Sequence, residues 1–123
     1  MIEDGLERHE YKPGQVIFAQ GDHGEEAFLI ESGKVEIARG DGVAELVIAI
    51  INAGELVGEM ALIDHSKRMA TARAAAKTTC IVVPKRIFDR VLKQANPIVV
   101  SMLNSLIRRV RIDGGKAAKK TLG

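Results

Sequence analysis

The sequence predicts an α+β fold that is mainly β: an antiparallel β-roll, jelly-roll-like, with one short helical turn inside it and two C-terminal helices. Three observations predict it. From Tyr11 to Val83, short apolar runs alternate with Gly, Pro and Asp turn residues, the spacing of an antiparallel sandwich or roll. Within that region, Glu59-Met60-Ala61-Leu62 are helix formers and can make about one turn after Gly58. From Ile87 onward the apolar residues recur at helical spacing.

The elements follow in order. Lys12-Pro13-Gly14-Gln15 places Pro and Gly at the two central positions of a type II turn. Gln15 to Ala19 is a short β-rich run, and Gly21 to Gly24 is a turn. Ala27 to Ile30 is an apolar strand that Gly33 breaks. Lys34-Val35-Glu36-Ile37 alternates polar and apolar, as a half-buried strand does. Asp41-Gly42 is a hairpin signal. Leu46 to Ile51 is a continuous apolar run, which reads as a strand buried on both faces. Ala53-Gly54 turns the chain into the Gly58 segment, and Ala70 to Ala75 and Thr78 to Val83 are two further strands.

The helices come last. Ile87, Phe88, Val91 and Leu92 mark the first. Asn96-Pro97 starts the second, with Asn as N-cap and Pro at the first helical position. Ile98, Val99, Met102, Leu103, Leu106, Ile107 and Val110 form its apolar stripe, which reads as the face that packs on the roll. Gly114-Gly115 is expected to end it. The basic remainder, with Lys116, Lys119 and Lys120, is expected to be a disordered, solubilising tail.

Composition narrows the function classes. A chain of 123 residues fits one domain with one core. A net charge of +2 supplies no large field, so neither nucleic acid nor membrane is an expected partner. Four aromatic residues, Tyr11, Phe18, Phe28 and Phe88, are too few for a base-stacking surface that grips single strands. The one cysteine, Cys80, sits in an apolar run and reads as core, which fits a reducing compartment. No apolar stretch reaches the roughly 20 residues of a membrane span. Met1-Ile2-Glu3-Asp4-Gly5 is acidic and unlike a secretory signal, so a cytoplasmic location is expected. His9, His23 and His65 are scattered without metal-ligand spacing, so no metal is expected. No nucleophile-and-base arrangement stands out either, so the chain does not read as an enzyme.

The segment that carries chemistry runs Gly58-Glu59-Met60-Ala61-Leu62-Ile63-Asp64-His65-Ser66-Lys67-Arg68-Met69-Ala70-Thr71. Gly58 allows a sharp turn and a close ligand approach. The first N–H groups of the turn after it lack acceptors and suit a phosphate. Arg68 follows a short polar loop and offers a planar, permanently charged fork for phosphate oxygens. Glu59 can accept from a sugar hydroxyl. One small pocket would then read ribose with Glu59 and phosphate with Arg68. The plainer alternative is an ion pair between the two that closes the loop.

This segment resembles the phosphate-binding cassette of the cyclic-nucleotide-binding domain family. Gly58, Glu59, Met60, Ala61, Leu62, Arg68, Ala70 and Thr71 match its pattern in order and spacing. Val57 stands where the family usually has Phe, and Met69 replaces the usual small or hydroxylated residue after the arginine. Upstream, Gly21-Asp22-x-Gly24, Ala27 to Ile30 and Gly33-x-Val35 look like the family's glycine-bearing strand turns. The resemblance covers Tyr11 to Asp113 as a binding domain. It leaves 1–10 as a short N-terminal segment, in place of the family's helices before the first strand, and 114–123 as the tail.

By resemblance, Glu59 binds the ribose 2′-hydroxyl and Arg68 the cyclic phosphate. The N–H groups of Met60, Ala61 and Ala70 face the ligand, and Met69 borders it. Arg108, Arg109 and Arg111 read as a solvated face; in the family the last helix often caps the base, which makes them lid candidates. The ligand implied is cyclic AMP, or cyclic GMP, with no metal. The expected function is a stand-alone regulatory module that signals through its C-terminal helices to an effector protein. A homodimer through the last helix is a further candidate. The alternative is a degenerate member that serves protein interaction or dimerisation without ligand, because Met69 could crowd the pocket.

Overall fold

In a computed structural model, residues 6–40, 42–63 and 67–120 are described, with side chains of the last helix described as far as Arg109. Two four-stranded antiparallel sheets form among them. The first has the order β1 (Arg8–Tyr11), β8 (Thr78–Pro84), β3 (Glu26–Ser32), β6 (Leu56–Val57). The second has the order β2 (Val16–Phe18), β7 (Thr71–Ala74), β4 (Lys34–Arg39), β5 (Leu46–Asn52). Strands distant in sequence pair at the centre of each sheet, as in β3 with β8 (Leu29 opposite Ile81) and β4 with β7 (Glu36 opposite Arg73). This is the expected antiparallel roll.

One core joins the sheets. Tyr11, Phe28, Ile30, Val57, Cys80 and Val82 from the first meet Val35, Ala72 and Ala74 from the second. Ile17, Phe18, Ile37 and Ile51 pack at its border. Strand alternation places Phe28 and Ile30, Ala72 and Ala74, and Cys80 and Val82 in this core. In β4 both Val35 and Ala38 are fully buried, because the pairing with β5 shifts register between Ile37 and Ala38.

The turns read from sequence form as turns. The Gln15 N–H donates to the Lys12 carbonyl at 3.0 Å. Gly14 has φ +89°, the left-handed value that a type II turn needs at its third position. Gly42–Ala44 form a 3₁₀ turn between β4 and β5; Asp41 of the hairpin signal lies outside the described residues.

The chain divides into two compact units, one ending at Phe88 and one beginning at Asp89. Helix α1 (Lys85–Lys93) spans that division, and α2 (Pro97–Lys120) lies in the second unit. The Ile98 N–H donates to Asn96 Oδ1 at 2.8 Å, so Asn96 caps α2 as expected. Ile98, Val99, Met102 and Leu106 on α2 are exposed.

Three sequence expectations are corrected. Leu46 to Ile51 is not buried on both faces: Leu46, Val47, Ile48 and Ile50 are exposed. β5 is the last strand of its sheet and pairs only with β4, so apolar content alone misjudged it. Gly114-Gly115 does not end α2, which continues to Lys120. Two glycines cost about 2 kcal/mol against alanine, but the Lys and Ala residues that follow are good helix formers. Finally, β1 begins within the segment 1–10 that the sequence reading set apart and ends at Tyr11. Only Tyr11 of its four residues is buried, so it offers no apolar pattern to read.

Candidate functional site

The site is built around a turn and an arginine. Gly58 adopts φ +77°, ψ +20°, a left-handed conformation that glycine enters without penalty. It starts a 3₁₀ turn over Glu59–Leu62. Ala61 and Leu62 are buried and anchor that turn, while Glu59 faces solvent. The Ala61 N–H, expected to face a ligand, donates to the Gly58 carbonyl at 3.2 Å. Met60 is half-buried.

Arg68 is held from both directions along its backbone. Its N–H donates to the Asp22 carbonyl at 2.8 Å, and its carbonyl accepts from the Gly21 N–H at 2.8 Å. The Asp22 carboxylate in turn accepts from the Ala19 N–H at 3.1 Å. Thr71 Oγ1 accepts from the Gln20 N–H at 3.0 Å. The glycine-bearing turn at 21–24 therefore serves to seat Arg68.

The Arg68 side chain runs inward and is only 8% exposed. Nη2 donates to the Glu26 carbonyl at 2.7 Å and Nη1 to the Gly58 carbonyl at 3.2 Å. Its Cζ lies 4.2 Å from the centre of the Phe18 ring and 6.0 Å from that of Phe28. Nε is buried and has no hydrogen-bond partner. Burial lowers the guanidinium pKa, with the Glu26 and Asp22 charges opposing. Among the described residues no carboxylate forms an ion pair with Arg68. The site thus holds a desolvated cation met by neutral carbonyls, with one donor unmet. An anion oxygen is the partner such a group lacks, so the donor set fits a phosphate.

The predicted residues fall as follows. Gly58 and Arg68 meet directly. A Cβ at Gly58 would lie 2.6 Å from Arg68 Nη1 and 3.0 Å from Phe18 Cε2, so glycine is required there for space as well as for its backbone. Glu59 adjoins them and makes no hydrogen bond or ion pair among the described residues. Met69 is 57% exposed and Ala70 half-buried. Asp64, His65 and Ser66 of the intervening loop lie outside the described residues. Arg108 and Arg109 are exposed on α2, and the Arg111 side chain lies outside the described residues.

Sequence reasoning missed Phe18 and Phe28 as partners of Arg68. It read both only as strand residues. The available signal was their rarity, since the chain has three phenylalanines and two of them contact this guanidinium. Among the described residues no cluster of His, Cys, Asp or Glu could hold a metal, and no helix is long and apolar enough to cross a membrane.

Comparison with known proteins shows the family and the fold. The model of the cyclic nucleotide-binding domain matches residues 8–95. The chain is 33% identical over 107 residues to the cyclic AMP receptor protein of Thermus thermophilus, covering 86% of this chain and 50% of that protein. It is 37% identical over 92 residues to a cAMP-dependent protein kinase regulatory subunit of Blastocladiella emersonii, covering 74% of this chain and 23% of that protein. The chain thus spans half or less of the length of these curated relatives. Among solved structures, the halfsite-occupied form of the EAL enzyme Bd1971 matches with a TM-score of 0.78 at 31% identity, over 89% of this chain and 99% of that one. Bd1971 is also known in cGMP-bound and cAMP-bound forms. The catabolite activator protein of Thermus thermophilus matches with a TM-score of 0.78 at 32% identity, over 95% of this chain and 55% of that one.

Proposed function

Because this chain belongs to the cyclic nucleotide-binding domain family, we propose that its roll binds a 3′,5′-cyclic purine nucleotide at Arg68 and Glu59. The observation that carries this reading is the buried Arg68 guanidinium, whose Nε has no partner. Arg68 takes the cyclic phosphate, and Glu59, exposed and unengaged among the described residues, accepts from the ribose 2′-hydroxyl. Met60, Ala70 and Met69 border the ligand. The Ala61 N–H reaches it only by giving up its bond to Gly58. No reacting group or metal enters this account, so the role is binding and regulation rather than catalysis.

Cyclic AMP is the favoured ligand and cyclic GMP the second. Met69 supplies no hydroxyl for guanine, and a site without a partner gains nothing from an extra amine. Met69 is 57% exposed, which supports the binding reading over one in which it crowds the pocket. Binding signals through α1 and α2 to an effector protein, by favouring one arrangement of the helices over another. The exposed apolar residues Ile98, Met102 and Leu106 make α2 the surface for a second copy, and Arg108, Arg109 and Arg111 remain lid candidates. Titration calorimetry with cyclic AMP, cyclic GMP and 5′-AMP tests the reading. Saturable binding of either cyclic nucleotide supports it; heat from neither, in a folded protein, leaves the ligand-free interaction module as the better account.

A further inference from the structure

Arg68 has no acidic anchor among the described residues, so something else must set the plane and reach of its guanidinium. Two carbonyls fix the Nη ends, at 2.7 Å from Glu26 and 3.2 Å from Gly58. They leave the Nε side to packing. The nearest ring is Phe18, with its centre 4.2 Å from Cζ, while Phe28 stands off at 6.0 Å. The remaining contact is with a residue that has no side chain. A Cβ at Gly24 would lie 2.8 Å from Cζ, 2.8 Å from Nε and closer still to Nη2. Those three nearest atoms all belong to Arg68. They include the one guanidinium nitrogen without a partner.

Gly24 is unusual among the glycines of the roll. Gly14, Gly21, Gly33, Gly40, Gly54 and Gly58 have positive φ, and Gly24 does not. Alanine there would therefore meet no left-handed backbone strain. The three nearest obstructing atoms all belong to the guanidinium. A flexible side chain can move aside, so alanine at 24 should leave the roll folded and Arg68 displaced. Gly58 cannot make this separation, because alanine there is also strained by φ +77°.

We propose that Phe18 and Gly24 are positioning residues for Arg68, Phe18 as the ring beneath the guanidinium and Gly24 as the space that admits it. They act through Arg68 and not on the ligand. The consequence for binding rests on reading Arg68 as the phosphate group's partner; the positioning itself does not.

The test uses the full chain with Gly24→Ala, Phe18→Leu and Phe18→Tyr, the first also combined with Arg68→Ala. Three readouts are taken: melting temperature without ligand, the Nε–H resonance of Arg68 in the ligand-free protein, and calorimetric affinity for cyclic AMP. Gly24→Ala should lower the melting temperature and shift the Nε–H resonance. That melting penalty should vanish once Arg68→Ala removes the obstructed group. Phe18→Leu should shift the same resonance, and Phe18→Tyr, which keeps the ring, should restore it. Affinity should fall at least about tenfold in Gly24→Ala, the loss of one charge-assisted contact. If the unaltered protein binds no cyclic nucleotide, the functional reading fails, while the two ligand-free readouts still decide this one. A melting penalty for Gly24→Ala that persists in the Arg68→Ala background, or an unmoved Nε–H resonance, overturns the proposal.

Discussion

Replacing Arg68 by alanine should separate its two roles. In the ligand-free protein the substitution removes hydrogen bonds of 2.7 and 3.2 Å and a ring contact at 4.2 Å. Hydrogen bonds to a charged group contribute about 1.5–3 kcal/mol each, and a desolvated cation–π contact about 2 kcal/mol. Against them stands the cost of holding a cation in a site only 8% exposed, several kcal/mol before relaxation. The terms are similar in size and opposite in sign. Ligand-free stability should therefore change by no more than about 2 kcal/mol, or roughly 10 °C in melting temperature. On the proposed reading, ligand binding has no such offset, because the phosphate would lose its cationic partner outright. That loss is about 1.5–3 kcal/mol, or roughly ten- to a hundredfold in dissociation constant. Calorimetry and a melting scan on the same sample read both effects. Arg68→Lys, which keeps the charge but not the fork, should fall between. An alanine variant whose affinity stays within about threefold of the original would refute the assignment of phosphate to Arg68.

Four further outcomes are expected. At about a hundred times its dissociation constant, the ligand should stabilise the fold by about 2.7 kcal/mol and raise the melting temperature by roughly 10 °C; no shift with millimolar cyclic AMP or cyclic GMP favours the ligand-free module. Cyclic AMP should displace cyclic GMP in direct competition, since Met69 offers guanine no hydroxyl; tighter cyclic GMP reverses that preference. Amide hydrogens of α2 should exchange faster than those of β3, β4 and β8 and slow on ligand addition, as switching elements come from the less stable part of a fold; equal exchange with and without saturating ligand removes α2 from signalling. Burial pushes the Cys80 thiol from about 9 up to about 11, so its stabilisation is complete below pH 9 and lost as pH rises through 11; rapid alkylation of the native protein at pH 8 would contradict this.

How much was legible in the sequence depended on how local the chemistry was. Gly14 in its turn, Asn96 at the helix start and Gly58 before Glu59 announce themselves because each meets a backbone need within three residues. Lys34 to Ile37 was legible as a strand because polar and apolar residues alternate, and the other core strands because turn residues bound their apolar runs. Position in the sheet was not. Nothing in Leu46-Val47-Ile48-Ala49-Ile50-Ile51 says that its second edge has no neighbour, since that depends on where β2, β4 and β7 lie. β1 failed for the converse reason, as its pairing partner β8 begins 67 residues after Tyr11, at Thr78, and its own residues are mostly polar. The cassette was legible as a pattern, but the aromatic support of Arg68 comes from β2 and β3, 50 and 40 residues away in sequence.

The same non-local packing bears on the two local readings of Glu59 and Arg68. An ion pair closing a loop needs both side chains on one side of the chain, and here they diverge. Glu59 faces solvent, while Arg68 passes beneath the turn to the carbonyls of Gly58 and Glu26. A structural strut would have its charge compensated, because an unpaired buried cation is costly. This one is compensated only in part, by carbonyl dipoles and the nearby Glu26 and Asp22 charges, and its Nε is left without an acceptor. On the proposed reading, such a site gains little for the isolated fold and is completed by an anion. The energy withheld from ligand-free stability is then available to binding, which is why melting temperature and affinity should respond so differently to the loss of Arg68.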